Sequence, residues 1–530
     1  MVKRDAVVIG AGHNGLVAAN LLADAGWGVV VLEAAEHAGG AVHSDDALYP
    51  GYVTDEFSAF YPLAAASPVL RSLQLDQWGL QWSHAPAVLA HVLPDDRCAS
   101  LFRDLDRTAA SLDAFAEGDG ERWRTIYRRF EQVQESLVQA VLSPFPPVRA
   151  GAALLRQLGT ADALRFARFA VLPVRRYAQE NFVGEGAGLL LAGNAMHTDL
   201  PPENAGSALY GWLLCMLGQS VGFPTPTGGS GRLTAALVDR LRSRGGELRV
   251  SSPVARVEVR DGEVIGVELA GGERIGTSTV LADVAAPTLY RELVGAAHLP
   301  PRLVEDLDRF QWDAPTLKLN WALSGRIPWS TPSAGQAGTV HLGVDTDGLT
   351  RYAADLATRQ LPSEPFLLLG QMAVADSSRA PLHCESAWAY THLPSGRVIA
   401  RGDVERHAER VEAVIERHAP GFRDRIVART VQGPHDLQAA DANLEGGAVG
   451  GGTSGLHQQL IFRPVPGLGR AETPIDGLYL AGNAAHPGGG VHGAPGANAA
   501  RAAMARAARL GRLRRRVIDQ LNRRVYAVGR

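Results

Sequence analysis

The sequence predicts an α/β protein: a domain of parallel strands and helices that binds a dinucleotide, interrupted by an inserted α+β domain. Three observations carry this expectation. The first forty residues read as strand, glycine-rich turn, helix and a second strand ending in an acid. A further strand, glycine turn and helix recur near the other end of the chain, from Gly477 onward. Between the two lie runs of alternating strand and helix character, as a two-layer insertion would show.

The bulk numbers set the scale. A chain of 530 residues exceeds what one core organises, so two or three domains are expected, some built from separated segments. Hydrophobic residues at 46% and charged residues at 20% describe a folded, enzyme-sized body rather than a disordered one. A net charge of -3 provides no field to attract nucleic acid. Cys98, Cys215 and Cys384 form no CxxC, which argues against a disulfide framework, a zinc site or a dithiol pair. Cofactor-type sequence starts within ten residues of Met1 and no run of about twenty apolar residues occurs, so a cytoplasmic protein without a spanning helix is expected.

The amino-terminal unit is read first. Residues 5–9, DAVVI, suit a strand buried on both faces, and Gly10-Ala11-Gly12-His13-Asn14-Gly15 follows directly. A helix is predicted over 16–25, stopped by Gly26, and a second strand over 29–32 ends in Glu33. Gly10 permits the tight turn, Gly12 leaves room for a pyrophosphate against the backbone, and Gly15 lets the helix close onto the strand. The helix start then offers N–H groups and a positive dipole end to phosphate. Glu33 is placed for ribose hydroxyls, and its charge disfavours a 2′-phosphate there. The order of parts makes this a Rossmann-type unit, with His13 and Asn14 neighbours of the phosphate turn.

Along the chain, residues 45–75 mix polar and aromatic side chains, and 101–176 show helical spacing. The segment 205–221 reads as a buried, pocket-lining helix broken by glycines. From Phe223 the chain returns to strand character: a glycine-rich turn, a helix over 233–244, and strands over 247–250, 255–259 and 264–269, with Asp261-Gly262 as a hairpin turn, then a buried strand over 279–283. Strands over 316–323, 365–371 and 386–392 and a helix over 403–418 complete the insertion. The expected division is therefore 1–75, 223–295 and 435–530 for the cofactor domain, and 76–222 with 296–434 for a substrate domain.

The second cradle is Gly477-Leu478-Tyr479-Leu480-Ala481-Gly482-Asn483, then Ala484-Ala485-His486-Pro487-Gly488-Gly489-Gly490-Val491-His492-Gly493 and a helix over 494–508. Two phosphate-type cradles make sense when both touch one extended ligand, each at one of its ends. Beyond it, residues 501–530 carry ten arginines and one acid, with Leu513, Val517, Leu521 and Val525 in a four-residue rhythm. This reads as a basic amphipathic helix that packs on its own domain, on a second copy, or on the surface of an anionic membrane.

At Gly39-Gly40, six residues after Glu33, the sequence resembles the FAD-dependent phytoene dehydrogenase-like and amine oxidase superfamily, and the wording GAGHNGL and HPGGGVHG resembles its pyridine nucleotide-disulphide oxidoreductase domain-containing subgroup. The resemblance spans nearly the whole chain in order of motifs. It implies FAD as cofactor, with Gly10, Gly12, His13, Asn14, Gly15, Glu33, Gly39, Gly40, Ala41, Val254, Gly482, Asn483, Gly490 and Val491 around it. In many members an arginine stands where Ala41 stands and an aspartate where Asn483 stands. Val254 falls beside the adenine in that comparison, and the second helix start faces the part of the flavin where negative charge collects on reduction.

No nucleophile motif, HExxH or paired catalytic carboxylate appears, and flavin-dependent dehydrogenation requires none. His486 and His492 flank the glycine run near the flavin and are the expected polar groups at the reacting end. The leading expectation is an FAD-dependent oxidoreductase that removes hydride from carbon of a small or lipophilic substrate, as in phytoene dehydrogenation. A flavin amine oxidase is the first alternative. A non-catalytic binder, like the Rab GDP-dissociation inhibitors, is the second, and the intact glycines and Glu33 speak against it.

Overall fold

The computed structural model describes residues 2–527. At its centre is a five-stranded, all-parallel sheet in the order Glu247–Arg249, Val29–Leu32, Ala6–Ile9, Val280–Ala282 and Leu478–Leu480. Its inner strands are short runs of β-branched and aliphatic residues, buried along their whole length, as a sheet covered on both faces demands. On one face pack the helices His13–Asp24, Gly231–Ser243 and Ala494–Ala507 through Leu16, Val17, Leu237 and a run of alanines. Across the other lies the meander Val254–Arg260, Glu263–Leu269 and Arg274–Gly276. Asp261 and Gly262 both adopt positive φ at its first turn, which is why the pair Asp-Gly stands there.

The second body is a seven-stranded sheet, in the order Ile426–Gln432, Thr316–Leu323, Glu385–His392, Leu367–Gln371, Ala337–Leu342, Ala87–Val92 and Cys98–Leu101. All its pairings are antiparallel except one, between Ala337–Leu342 and Ala87–Val92, which joins the two separated stretches of chain. The strands at 87–92, 98–101, 337–342 and 426–432 are additions to the sequence reading, and the helical layer expected from residue 101 begins in the structure at Leu105. Helix Arg401–His418 covers one face through Val404, Ala408, Val411 and Ile415. The helices Asp119–Leu142, Glu185–Ala195 and Ser207–Val221 cover the other through Trp123, Phe130, Leu190 and Met216. Each such side chain stabilises the packing by about 1.5–3 kcal/mol.

The last described helix, Gly511–Val525, lies against the body of the five-stranded sheet by its charged side. Arg514 pairs with Glu472, and Arg515 lies 3.6 Å from Asp476. Leu513, Val517, Leu521 and Val525 point to solvent, at 59, 51, 54 and 38% exposure. The apolar stripe therefore faces away from the protein. Among the described residues no helix is long and apolar enough to cross a membrane.

Candidate FAD site

The site is assembled where parallel strands end. Strand Ala6–Ile9 runs into Gly10, whose φ of 90° no residue with a Cβ adopts easily. A Cβ at Gly15 would lie 2.2 Å from Gly10 O, so the helix can close on the strand only with glycine there. Glu33, at the end of the second strand, is fixed by backbone: its Oε2 accepts from Ala11 N–H at 2.6 Å and its Oε1 from Ala35 N–H at 2.8 Å. Gly39 pairs with Gly12 and donates to Ala11 O at 2.9 Å, and both Gly39 and Gly40 have positive φ. The Gly-Gly turn is thus laced to the phosphate turn. Ala41 O accepts from Ser58 Oγ at 2.8 Å. Ser252 N–H donates to Glu33 O at 2.7 Å, which sets Val254, at the start of its strand, beside the Glu33 end of the sheet.

From the other terminus, strand Leu478–Leu480 leads through Gly482 and Asn483 to Gly490, Val491 and the helix Ala494–Ala507. Asn14 Nδ2 donates to Asn483 Oδ1 at 2.9 Å, and His13 Nε2 lies 3.3 Å from Gly490 O. A Cβ at Gly496 would stand 1.9 Å from Asn14 O. The two helix starts therefore meet. This corrects the expectation that they hold opposite ends of the ligand. Strands 6–9 and 478–480 flank 280–282 in one parallel sheet, so their carboxy-terminal ends emerge side by side, and so do the helices that follow.

Gly10, Gly12, Glu33, Gly40, Ala41, Val254, Asn483, Gly490 and Val491 all remain half-buried, tracing a solvent-reached line along the strand ends. Asn14 Oδ1 is buried without a hydrogen-bond partner at the middle of it. A line of glycine backbone, an acid at one end and an unsatisfied amide at the centre fit FAD: Glu33 and the Val254 region would hold the adenosine part, Gly12, Asn14 and Asn483 the pyrophosphate and ribityl part, and Gly490 and Val491 the flavin.

The three histidines are neutral because burial pushes them down, His13 and His486 to about 4 and His492 to about 3. His486 Nε2 donates to Ser143 O at 3.0 Å and its Nδ1 has no partner. His492 Nδ1 accepts from Ala494 N–H at 3.1 Å and so caps the second helix. Both flank the glycine run, but each has one ring nitrogen committed to backbone.

Sequence reasoning missed three buried charged groups, two of which touch residues of the site. Asp283, the residue after strand Val280–Ala282, accepts from Gly15 N–H at 2.7 Å, and burial raises its carboxyl to about 7. The position was legible as a strand end; the acid's direction was not. Lys318 sits buried on strand Thr316–Leu323, where its Nζ donates to Asp55 O, to Glu56 O at 3.0 Å and to Asn320 Oδ1 at 2.8 Å. Burial lowers it to about 7, so at the seam between the two bodies there is an amine that titrates near neutrality. Arg463 is buried and donates to the carbonyls of Gly450, Gly451, Thr453 and Asn483. Asp313 receives the N–H groups of Val449, Gly450 and Gly452 from the opposite side. The loop 449–453 is thereby clamped between an acid and a base, and Gly451 is pressed against Asn483.

Fold and site together define an FAD-dependent oxidoreductase. The chain belongs to the flavin containing amine oxidoreductase family, whose model matches residues 15–379. It is 29% identical to pyridine nucleotide-disulfide oxidoreductase domain-containing protein 2 of Rattus norvegicus, over 92% of this chain and 91% of that one. To the neurosporene-forming phytoene desaturase of Rhodobacter capsulatus it is 24% identical, over 92% of this chain and 91% of the other. Among solved structures, an oxidoreductase from Methanosarcina mazei shares the fold with a TM-score of 0.61 at 16% identity, covering 94% of this chain and 99% of that one.

Proposed function

We propose that the protein dehydrogenates a carbon–carbon bond of an apolar organic substrate, as the desaturases it resembles do. The observation that supports this is the wall beside the flavin-side glycines. Leu63 lies against Gly490, where a Cβ would come within 2.7 Å of its side chain. Helix Ser207–Val221, which packs behind residues 62–66, carries no charged residue, and its Leu209, Leu213 and Leu214 are only partly buried. Such a wall accepts a hydrocarbon and gives a cationic amine no counter-charge.

When bound, FAD supplies the hydride acceptor. What the chain itself contributes is placement, exclusion of water and a place for the second proton that desaturation releases. Lys318 Nζ, with its proton loosely held near pH 7, is the group this reading assigns to that proton. His486 and His492 act in it through the glycine turn they brace. Peripheral contact with anionic membrane through 501–530 belongs to the same proposal, because Leu513, Val517 and Leu521 face outward beside the exposed Arg516. Pelleting with anionic vesicles, abolished by serine at those three leucine and valine positions, is the expected outcome.

Amine oxidation is the second reading, favoured by the neutral-prone amine of Lys318 and by the family's name. Anaerobic titration separates the two: loss of the flavin band near about 450 nm with isoprenoid hydrocarbons but not with amines supports desaturation. Bleaching by amines alone would overturn it.

A further inference from the structure

The helix His13–Asp24 begins at Gly12, which has no side chain with which to cap it, and Asp283 from the neighbouring strand supplies the missing acceptor. Its Oδ2 takes the Gly15 N–H at 2.7 Å and also stands 2.7 Å from where a Gly12 Cβ would be; its Oδ1 stands 2.9 Å from the corresponding point at Gly482. One carboxyl group therefore lies between the two glycine cradles, at the positive end of the helix. That end is where an anionic pyrophosphate belongs. A carboxylate and a pyrophosphate at one helix start repel each other.

We propose that Asp283 gates the uptake of FAD through a proton: as a carboxylate it caps the helix of the cofactor-free protein, and as a neutral acid it donates its O–H to the pyrophosphate of the bound cofactor. The inference rests on the FAD assignment and is independent of which substrate is oxidised.

The surroundings fit. The charged groups that face Asp283 are Glu33, at the end of the second strand, and Asp441, after helix Pro434–Ala440; both are acids. His13, on the capped helix, is neutral. Asn443, whose Nδ2 donates to Asp283 O at 3.2 Å, and Asn483 bring amides and no charge. No guanidinium or ammonium among the described residues pairs with this carboxyl. Burial and like charge therefore favour the protonated form near neutrality, and two further negative charges would favour it more. The sign follows by linkage: below the carboxyl's apo pKa FAD binds without taking up a proton, and above it each pH unit weakens binding about tenfold, until the pKa of the complex is passed.

The experiment is calorimetric titration of the full-length apoprotein with FAD between pH 6 and pH 9, in pairs of buffers of different ionisation enthalpy. FAD has no group that titrates between pH 6 and about pH 9, so a proton taken up belongs to the protein. Wild type is expected to take up close to one proton per FAD at pH 8 and to lose affinity about tenfold per unit above pH 7. Asp283→Asn, which keeps the size and a donor, is expected to bind with no proton uptake and little pH dependence, while Asp441→Asn keeps the wild-type slope. Absence of proton uptake by wild type, or an unchanged slope in Asp283→Asn, overturns the proposal. Should Asp283→Asn fail to fold, proton uptake by wild type decides alone. FAD failing to bind wild type at any pH would contradict the cofactor assignment instead, so the two failures are distinguishable.

Discussion

Gly496 is the residue on which the meeting of the two helix starts depends most directly, since a Cβ there falls within 1.9 Å of Asn14 O, a backbone oxygen that cannot yield, as a Cβ at Gly15 would fall within 2.2 Å of Gly10 O where the first helix closes on its strand. Gly496→Ala is expected to cost about 1–3 kcal/mol of overpacking and to release FAD, read as a lowered unfolding midpoint together with lost flavin fluorescence quenching. Lys318 makes a second prediction, and its sign is fixed. Its folded pKa, about 7, lies below the ordinary 10.5, so the unfolded chain binds the extra proton between those values and stability rises with pH across that window. Denaturant titrations of wild type and Lys318→Met should therefore diverge from pH 7 to pH 10. In the proposed role the wild-type rate climbs through about pH 7 as Nζ loses its proton, and that limb is absent in Lys318→Met. Parallel stability curves for the two proteins would remove the depressed lysine from the account.

At the scale of elements, the loop 449–453 shows how a glycine-rich stretch is given one shape. The N–H groups of Val449, Gly450 and Gly452 point to Asp313 and the carbonyls of Gly450, Gly451 and Thr453 to Arg463, so the loop is held from an acid and from a base. Burial lowers Arg463 to about 10, and among the described residues no carboxylate pairs with it and backbone carbonyls are its hydrogen-bond partners. Arg463→Met orphans several of them, at about 1–3 kcal/mol each where buried; a fall in the urea midpoint at constant slope checks this, with Arg463→Lys intermediate. The helix Gly511–Val525 gives the opposite case. Serine at Leu513, Val517 and Leu521 should leave stability within about 0.5 kcal/mol per site, because these side chains touch little, whereas Arg514→Gln breaks its pairing with the buried Glu472 and should cost more.

The elements also show what a sequence carries and what it withholds. The amino-terminal unit was readable because each part is local: β-branched residues, glycines and an acid lie within about thirty residues of one another, and the structure places the helix at His13–Asp24 and the strand at Val29–Leu32. The strands Ala87–Val92 and Ala337–Leu342 were not readable. They are buried on both sides, show no alternation, and exist as a pair only through a parallel contact across some 250 residues of chain. Asp283, Lys318 and Arg463 escaped for a related reason. A charged letter in a sequence reads as surface by default, and only the tertiary partners, a helix end, three carbonyl-type acceptors and a glycine loop, make its burial tolerable. The expectation that the two cradles hold opposite ends of one ligand gives way because distance along the chain does not set distance in space: strands 6–9 and 478–480 flank the same strand.

Taken as one molecule, the protein is built on two main sheets from interleaved segments, with the candidate cofactor line along the carboxy-terminal ends of the first and a seam against the second. The residues that trace that line come from both termini and from the segment near 254, so no fragment of the chain contains the site. Removal of FAD should accordingly destabilise the whole cooperative fold, by about 2.7 kcal/mol where FAD stood at a hundred times its Kd, read as a lowered midpoint of a single transition. The most direct test of the central claim is the experimentally determined structure of the FAD complex. The account predicts one FAD per chain, continuous from Glu33, past Gly12 and Asn483 where the two helix starts meet, to Val491. An FAD bound without contact to the second cradle, or on another face of the sheet, would contradict it.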